Sequence, residues 1–203
     1  MPYIRPSDSH RISMLKYLEK DRPITMWFRG KETYELNVQS GTHKTSWPVK
    51  TSNQIEKPRY VIIGFQSGRK SERSKNTSLF DHCDITNVKL YLNSQCYPYN
   101  DLNLNINKNQ YSILYDMYAN FQAEYYNKDP EPLLNREEFI QKVPLIVIDC
   151  SKQNDTIKNG PVDVRIEFES RTEFPANTTA YCMIIHDRLI QYNPMSGDVK
   201  KII

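Results

Sequence analysis

A chain of 203 residues with 38% hydrophobic and 25% charged residues and only six glycines can bury a core, and it lacks the composition of a disordered or fibrous protein. Its formal charge of +3, with both signs interspersed, makes no demand for a nucleic-acid partner. No apolar run approaches the roughly 20 residues of a spanning helix, and the opening MPYIRPSDSHRIS lacks the apolar stretch of a secretory leader, so a non-secreted protein is expected.

In chain order, HRISMLKYLEKD brings Ile12, Leu15 and Leu18 to near-helical spacing and predicts a short helix within an N-terminal segment, residues 1–21. After Pro23 the strings ITMWFRG and TYELNV read as two strands separated by a turn at Gly30-Lys31, and Trp47 to Val49 as a further extended piece. PRYVIIGFQS begins with a proline that suits a strand start and continues with β-branched and aromatic residues on both faces, which fits a strand buried on both sides or a very apolar sandwich strand. Residues 67–78, SGRKSERSKNTS, are a polar, mobile loop by composition.

Two segments alternate strictly. Val88, Leu90 and Leu92 point opposite to Lys89, Tyr91 and Asn93, and Val162, Val164, Ile166 and Phe168 opposite to Asp163, Arg165, Glu167 and Glu169. Such strands have one wet and one packed face, the mark of antiparallel sheets. Between them Tyr111, Leu114, Tyr115, Tyr118, Phe121 and Tyr125 recur at helical steps, predicting an aromatic-striped helix over 110–126 that packs on a sheet rather than serving as a ligand platform. NREEFIQK predicts a second helix, with Asn135 as cap and Glu138 at the capping-box position. PLIVIDC and AYCMIIH are apolar strands, and RLIQYN is expected to pair back on the latter through a turn near His186 and Asp187. Some eight to ten strands with two or three helices and no βαβ alternation predict an all-β, antiparallel two-sheet sandwich of jelly-roll type over residues 22–193, followed by a tail, 194–203.

Chemistry is sparse. Cys83, Cys96, Cys150 and Cys182 are widely spaced and read as reduced, buried thiols. His82 and Cys83 are adjacent, but neighbours in an extended strand face opposite sides, and Cys150 could meet His186 only through the fold. His10, His43, His82 and His186 form no metal-binding pattern, no phosphate-loop or nucleophile-elbow motif occurs, and the sequons at Asn76, Asn154 and Asn177 are chance matches without a secretory route. The one basic cluster, Arg69 to Lys75, reads as a solvated loop. No catalytic residue, cofactor or metal is expected.

The strings EKPRYVIIGFQ, FDHCDITNVKLYLNSQCYPY, YSILYDMYANFQAEYY, EFIQKVPLIVIDC, VDVRIEFES and CMIIHDRLIQYNP resemble the C-terminal half of the double jelly-roll major capsid protein of Polinton (Maverick) elements and adintoviruses. The family's F-x-H-x-x-I segment and the following strand and proline turn are matched by Phe80, His82, Ile85 and Pro98, and its R-I-E-F-like strand by Arg165 to Phe168. The resemblance implies an adenovirus hexon-like lineage: two jelly rolls per subunit, three subunits per pseudo-hexameric capsomer, and capsomers tiling an icosahedral shell that encloses DNA without specific contacts. At less than half the family's length, the chain has room for one jelly roll. It is expected to be a non-enzymatic building block that associates with itself as a trimer or larger assembly, with a first jelly-roll half or a minor capsid protein as further partners, in the virion or inside the host cell. The alternative is a domesticated, transposon-derived module that binds a protein or nucleic acid.

Overall fold

The two strictly alternating segments lie side by side. In the computed structural model, which describes residues 4–20, 22–51, 58–70, 72–152 and 162–202, β4 (Ile85–Leu92) pairs antiparallel with β7 (Asp163–Ser170), with Val88 opposite Phe168 and Leu90 opposite Ile166. All four of these side chains are buried, while Lys89, Tyr91, Arg165 and Glu167 take the other face. β2 (Lys44–Thr51) adds to the far side of β7 and β5 (Gln95–Tyr97) to β4, which gives a four-stranded sheet of order β2-β7-β4-β5. Pro48 is tolerated in β2 because that strand is an edge and its register shifts between Pro48 and Lys50.

The second sheet has the order β1-β8-β3-β6, built from β1 (Ile24–Asn37), β8 (Thr178–Tyr192), β3 (Pro58–Ser67) and β6 (Ile146–Asp149), with β9 (Val199–Lys201) on the end of β8. In the two sheets together, the first strand neighbours the eighth, the second the seventh, the third the sixth and the fourth the fifth. An antiparallel ribbon folded once and wound around itself produces this order, which is the jelly roll. The all-β antiparallel sandwich expected from the sequence is therefore the fold.

Between the sheets, β3 contributes Val61, Ile63 and Phe65, each without exposed surface, and β7 contributes Val164, Ile166 and Phe168. Phe65 meets Phe168 edge-on at 5.0 Å, and Phe174 completes the cluster at 6.2 Å from Phe65 and 5.5 Å from Phe168. The other face of β3 is also covered, which decides between the two readings its sequence allowed. Tyr60 lies beneath the aromatic helix α2 (Ser112–Tyr126) and meets the edge of Phe121 at 5.1 Å. Gly64 lies so close to Phe80 and Leu145 that a Cβ there would stand 2.7 Å from each. Asn127 ends α2 in the left-handed conformation with φ 52°.

The short helix α3 (Arg136–Lys142) starts as expected. The Asn135 side chain accepts the Glu138 N–H at 2.8 Å. Lys142 and the Asn135 backbone N–H in turn hold the Glu138 carboxyl below its ordinary pKa. The N-terminal helix α1 covers Asp8–Leu18 and buries none of its residues.

Two expected turns are absent. β1 runs through Gly30 and Lys31, and β8 through His186 and Asp187, without a break. Tight hairpin turns need a positive φ; Gly30 stays extended and buried, and neither His186 nor Asp187 adopts such a φ. By its contacts the chain forms two compact units, Lys31–His186 and Met1–Gly30 with Asp187–Ile203. The larger contains every buried apolar residue of the described chain. The smaller holds α1, the first half of β1, the end of β8 and β9; Gly197 (φ 75°) lies in the β8–β9 hairpin, and Arg29 approaches Asp187 at 3.7 Å.

Phe65→Ala is expected to cost about 3–5 kcal/mol, the range for emptying a packed aromatic site. Gly64→Ala is expected to cost about 1–3 kcal/mol, because the added methyl must displace Phe80 and Leu145. Urea unfolding followed by far-UV circular dichroism measures both, and a loss under about 0.5 kcal/mol at either site would contradict the packing described.

Candidate functional site

The fold does not bring Cys150 and His186 together. Cys150 at the end of β6 donates its N–H to Arg59 O at 2.8 Å, and His186 of β8 stands opposite Pro58. With β3 between them, the two backbones are about 10 Å apart. His82 and Cys83 occupy a turn instead of the expected extended strand, since Cys83 and Asp84 have φ 44° and 47°. The His82 Nδ1 accepts the Asp84 N–H at 3.0 Å, while the Cys83 Sγ lies 3.6 Å from Ser67 Oγ. Burial pushes the Cys83 thiol up to about 11 and the Cys182 thiol up to about 12. Such thiols are almost wholly protonated at neutral pH and are poor nucleophiles. Among the described residues, no group of three or more His, Cys, Asp or Glu side chains is placed to hold a metal.

The basic loop is tied back to the protein. Arg69 forms a forked pair with Asp81, whose Oδ2 also accepts the Ser67 N–H at 2.8 Å, and Lys70 reaches Glu35 at 2.6 Å. Gln66 anchors the return of the loop by donating to Thr77 O and Leu79 O at 2.8 and 2.9 Å. Burial works to raise the Asp81 pKa, but Arg69 and the Ser67 N–H outweigh it and hold the carboxyl below its usual value. Composition showed a basic loop; Asp81 and Glu35, the acids that answer it, lie elsewhere in the sequence.

The aromatic stripe of α2 divides its work. Tyr60 of β3 meets both Phe121 and Tyr125, while Tyr115 and Tyr118 flank Phe139 of α3 at 5.7 and 4.8 Å. It is a packing stripe, as the sequence predicts. Its C-terminal end nevertheless stays partly open: Tyr118, Phe121, Gln122, Tyr126, Lys128 and Leu133 line a groove of about 410 Å³. A polar cleft of about 570 Å³ lies between Asn37, Gly68, Lys70 and Asn177 to Thr179. A third, of about 490 Å³, is lined by Phe80, His82, Cys83, Ile140 and Pro175 among others.

The most unusual surface belongs to the smaller unit. Eleven of the fifteen large apolar side chains exposed among the described residues lie in it, including Met26, Trp27 and Phe28 in succession on β1. Trp27 is 73% exposed. A run of this kind on a strand at the edge of a sheet offers both apolar area and unpaired backbone groups to a neighbour. Strand alternation made the buried faces readable in advance, but nothing local to MWF distinguishes an exposed apolar edge from a buried strand.

Residues 1–190 match the family model described as a double jelly roll-like domain. No curated protein matches the chain significantly. Among solved structures, the chain is similar to a protein of the Sputnik virophage structure determined by cryo-EM, at 11% identity and a TM-score of 0.54, covering 89% of this chain and 39% of that one. It is also similar to PBCV-1 VP54 as fitted into a cryo-EM reconstruction of the virophage Sputnik, at 10% identity and a TM-score of 0.54, covering 99% of this chain and 55% of that one. The chain thus spans between a third and three fifths of the length of these structures, and the likeness is one of fold.

Two measurements follow from the local chemistry. Alkylation of Cys83 by iodoacetamide at pH 8 is expected to run about two orders of magnitude slower than that of a free thiol, because the thiolate is scarce; peptide mass spectrometry reads it, and labelling at the free-thiol rate would refute the burial. Asp81 has a folded pKa below its unfolded one, so its contribution is complete above the ordinary carboxylate range and disappears as pH falls through the folded value. Asp81→Asn should cost about 1 kcal/mol at pH 7, discounted for partial exposure, and progressively less as pH falls through the folded value; a cost that does not fall with pH would contradict the pairing.

Proposed function

We propose, since this chain belongs to the double jelly roll-like domain family, that it is a structural capsid-type building block of the Polinton/Maverick and adintovirus branch. It acts by self-association, as a trimer or larger capsomer-like assembly that forms, or derives from, an icosahedral shell. The virion and the interior of the host cell are where it works. A first jelly-roll half or a minor capsid protein are its further partners, and nucleic acid is enclosed without specific contacts. Its work is contact, not catalysis.

The observation that carries this reading is the distribution of apolar surface. The larger unit buries most of its large apolar side chains in a sandwich core and leaves four exposed, while the much shorter smaller unit leaves eleven exposed and buries none among the described residues. Water-exposed apolar area on this scale favours association, at about 25 cal/mol for each Å² covered. The engagement of Arg69 with Asp81 and of Lys70 with Glu35 weighs against the basic loop as a nucleic-acid grip.

Sedimentation velocity of the purified chain over a concentration series, with electron micrographs of the most concentrated sample, tests the reading. Trimers or larger regular particles are the expected result. A strict monomer at every concentration would reject assembly as its activity.

A further inference from the structure

The edge of a sheet invites pairing, and proteins blunt it with short strands, proline, bulges or charge. Three edges of the two sheets are blunted in this way: β5 has three residues and β6 four, and β2 carries Pro48 with a register shift beside it. β1 is different. It runs for fourteen residues without a proline, and β8 is its only strand neighbour among the described residues. Over residues 24–30 it holds one charge, Arg29, and Asp187 of the same unit stands 3.7 Å from that guanidinium. Met26 and Phe28 lie on one face of this stretch and Trp27 on the other, at 40%, 46% and 73% exposure.

The residues of this edge select how a second copy can pair with it. Two identical strands paired antiparallel share a two-fold axis, and the residue on the axis faces its own mate. An axis at Arg29 or Lys31 sets like charges directly opposite each other, which is destabilising. An axis at Met26 puts Pro23, which has no N–H to give, against Arg29 and leaves only residues 24–28 paired. An axis at Phe28 sets Ile24 against the Glu32 carboxylate and Met26 against Gly30. An axis at Trp27 pairs residues 24–30 in full: Trp27 on Trp27, Met26 on Phe28, Thr25 on Arg29 and Ile24 on Gly30, with no like charges opposed. Pro23 and Lys31 then close the ladder at both ends.

We propose that β1 pairs edge to edge with β1 of a second copy of the chain, antiparallel about a two-fold axis at Trp27. The proposal rests on the self-association reading and adds a pairwise link, which joins one capsomer-like assembly to the next and does not close a ring within it. Met26, Trp27 and Phe28 together expose roughly 350 Å², taking about 150–250 Å² for each whole side chain. Two copies thus bring roughly 700 Å² to the contact before their backbones are counted, against about 1,200 Å² of total area in the smallest stable interfaces. Each link is weak alone and holds by repetition across an assembly.

Full-length variants test the contact. Thr25→Cys and Arg29→Cys chains are mixed at high concentration under mild oxidation, with the wild type as control for its own thiols. With the axis at Trp27, position 25 of one copy lies opposite position 29 of the other, about 5.5 Å away between Cα atoms, within disulfide reach. Two copies of the same position lie about 14 Å apart along the strands, beyond it. The expected result by peptide mass spectrometry is a link between positions 25 and 29 in the mixture, and none from 25 to 25 or from 29 to 29. Trp27→Lys alters an exposed side chain and should unfold in urea as the wild type does; in sedimentation velocity it is expected to weaken association at least about tenfold. If the wild type assembles but the mixture gives no such link, or Trp27→Lys assembles as tightly as the wild type, this contact is overturned while self-association stands, and the edge is left to a strand of another protein. A wild type that is monomeric at every concentration would instead remove the assembly reading itself, and this contact with it.

Discussion

The aromatic contact between the sheets is the constraint on which the remaining structure depends. Phe65 on one sheet and Phe168 on the other meet edge-on at 5.0 Å, with Phe174 closing the cluster from the loop before β8. Both strands must hold a register that turns these rings inward. A slip of one residue would put Gly64 or Gln66 and Glu167 or Glu169 in their place. The paired registers of β3 with β8 and of β7 with β4 therefore follow from one packing requirement.

β3 carries a double load, because its second face is covered as well. Tyr60 packs under Phe121 and Tyr125, and the absence of a side chain at Gly64 lets Phe80 and Leu145 approach. This explains why PRYVIIGFQS has no polar face, in contrast to the strict alternation of β4 and β7. The larger unit accordingly spends most of its apolar residues on internal packing, and Cys150, Cys182 and His186 are buried within it.

The smaller unit follows the opposite economy. It has sheet hydrogen bonds and an ion pair, yet among its described residues no large apolar side chain is buried. Apolar area left open to water on this scale is costly, and any contact that covered it would be favourable. The two units thus show the same physical effect in opposite states, with apolar area removed from water in the larger and left in water in the smaller.

The residue pattern alone determined the fold class, because alternation at 88–92 and 162–168 and the apolar run at 60–65 each state which faces are dry. The capping residue Asn135 and the aromatic stripe of 111–125 were likewise local signals with local outcomes. Only the tertiary structure decided that β1 and β8 pass straight through Gly30-Lys31 and His186-Asp187, since a strand's continuation depends on the hydrogen bonds offered by its neighbours and not on its own residues. It also decided that Cys83 lies in a turn and that Asp81, twelve residues on, answers Arg69 across the loop between them. Exposure of the Trp27 edge was decided there too: the same apolar string is buried or bare according to what lies across from it, and that information is absent from the string itself.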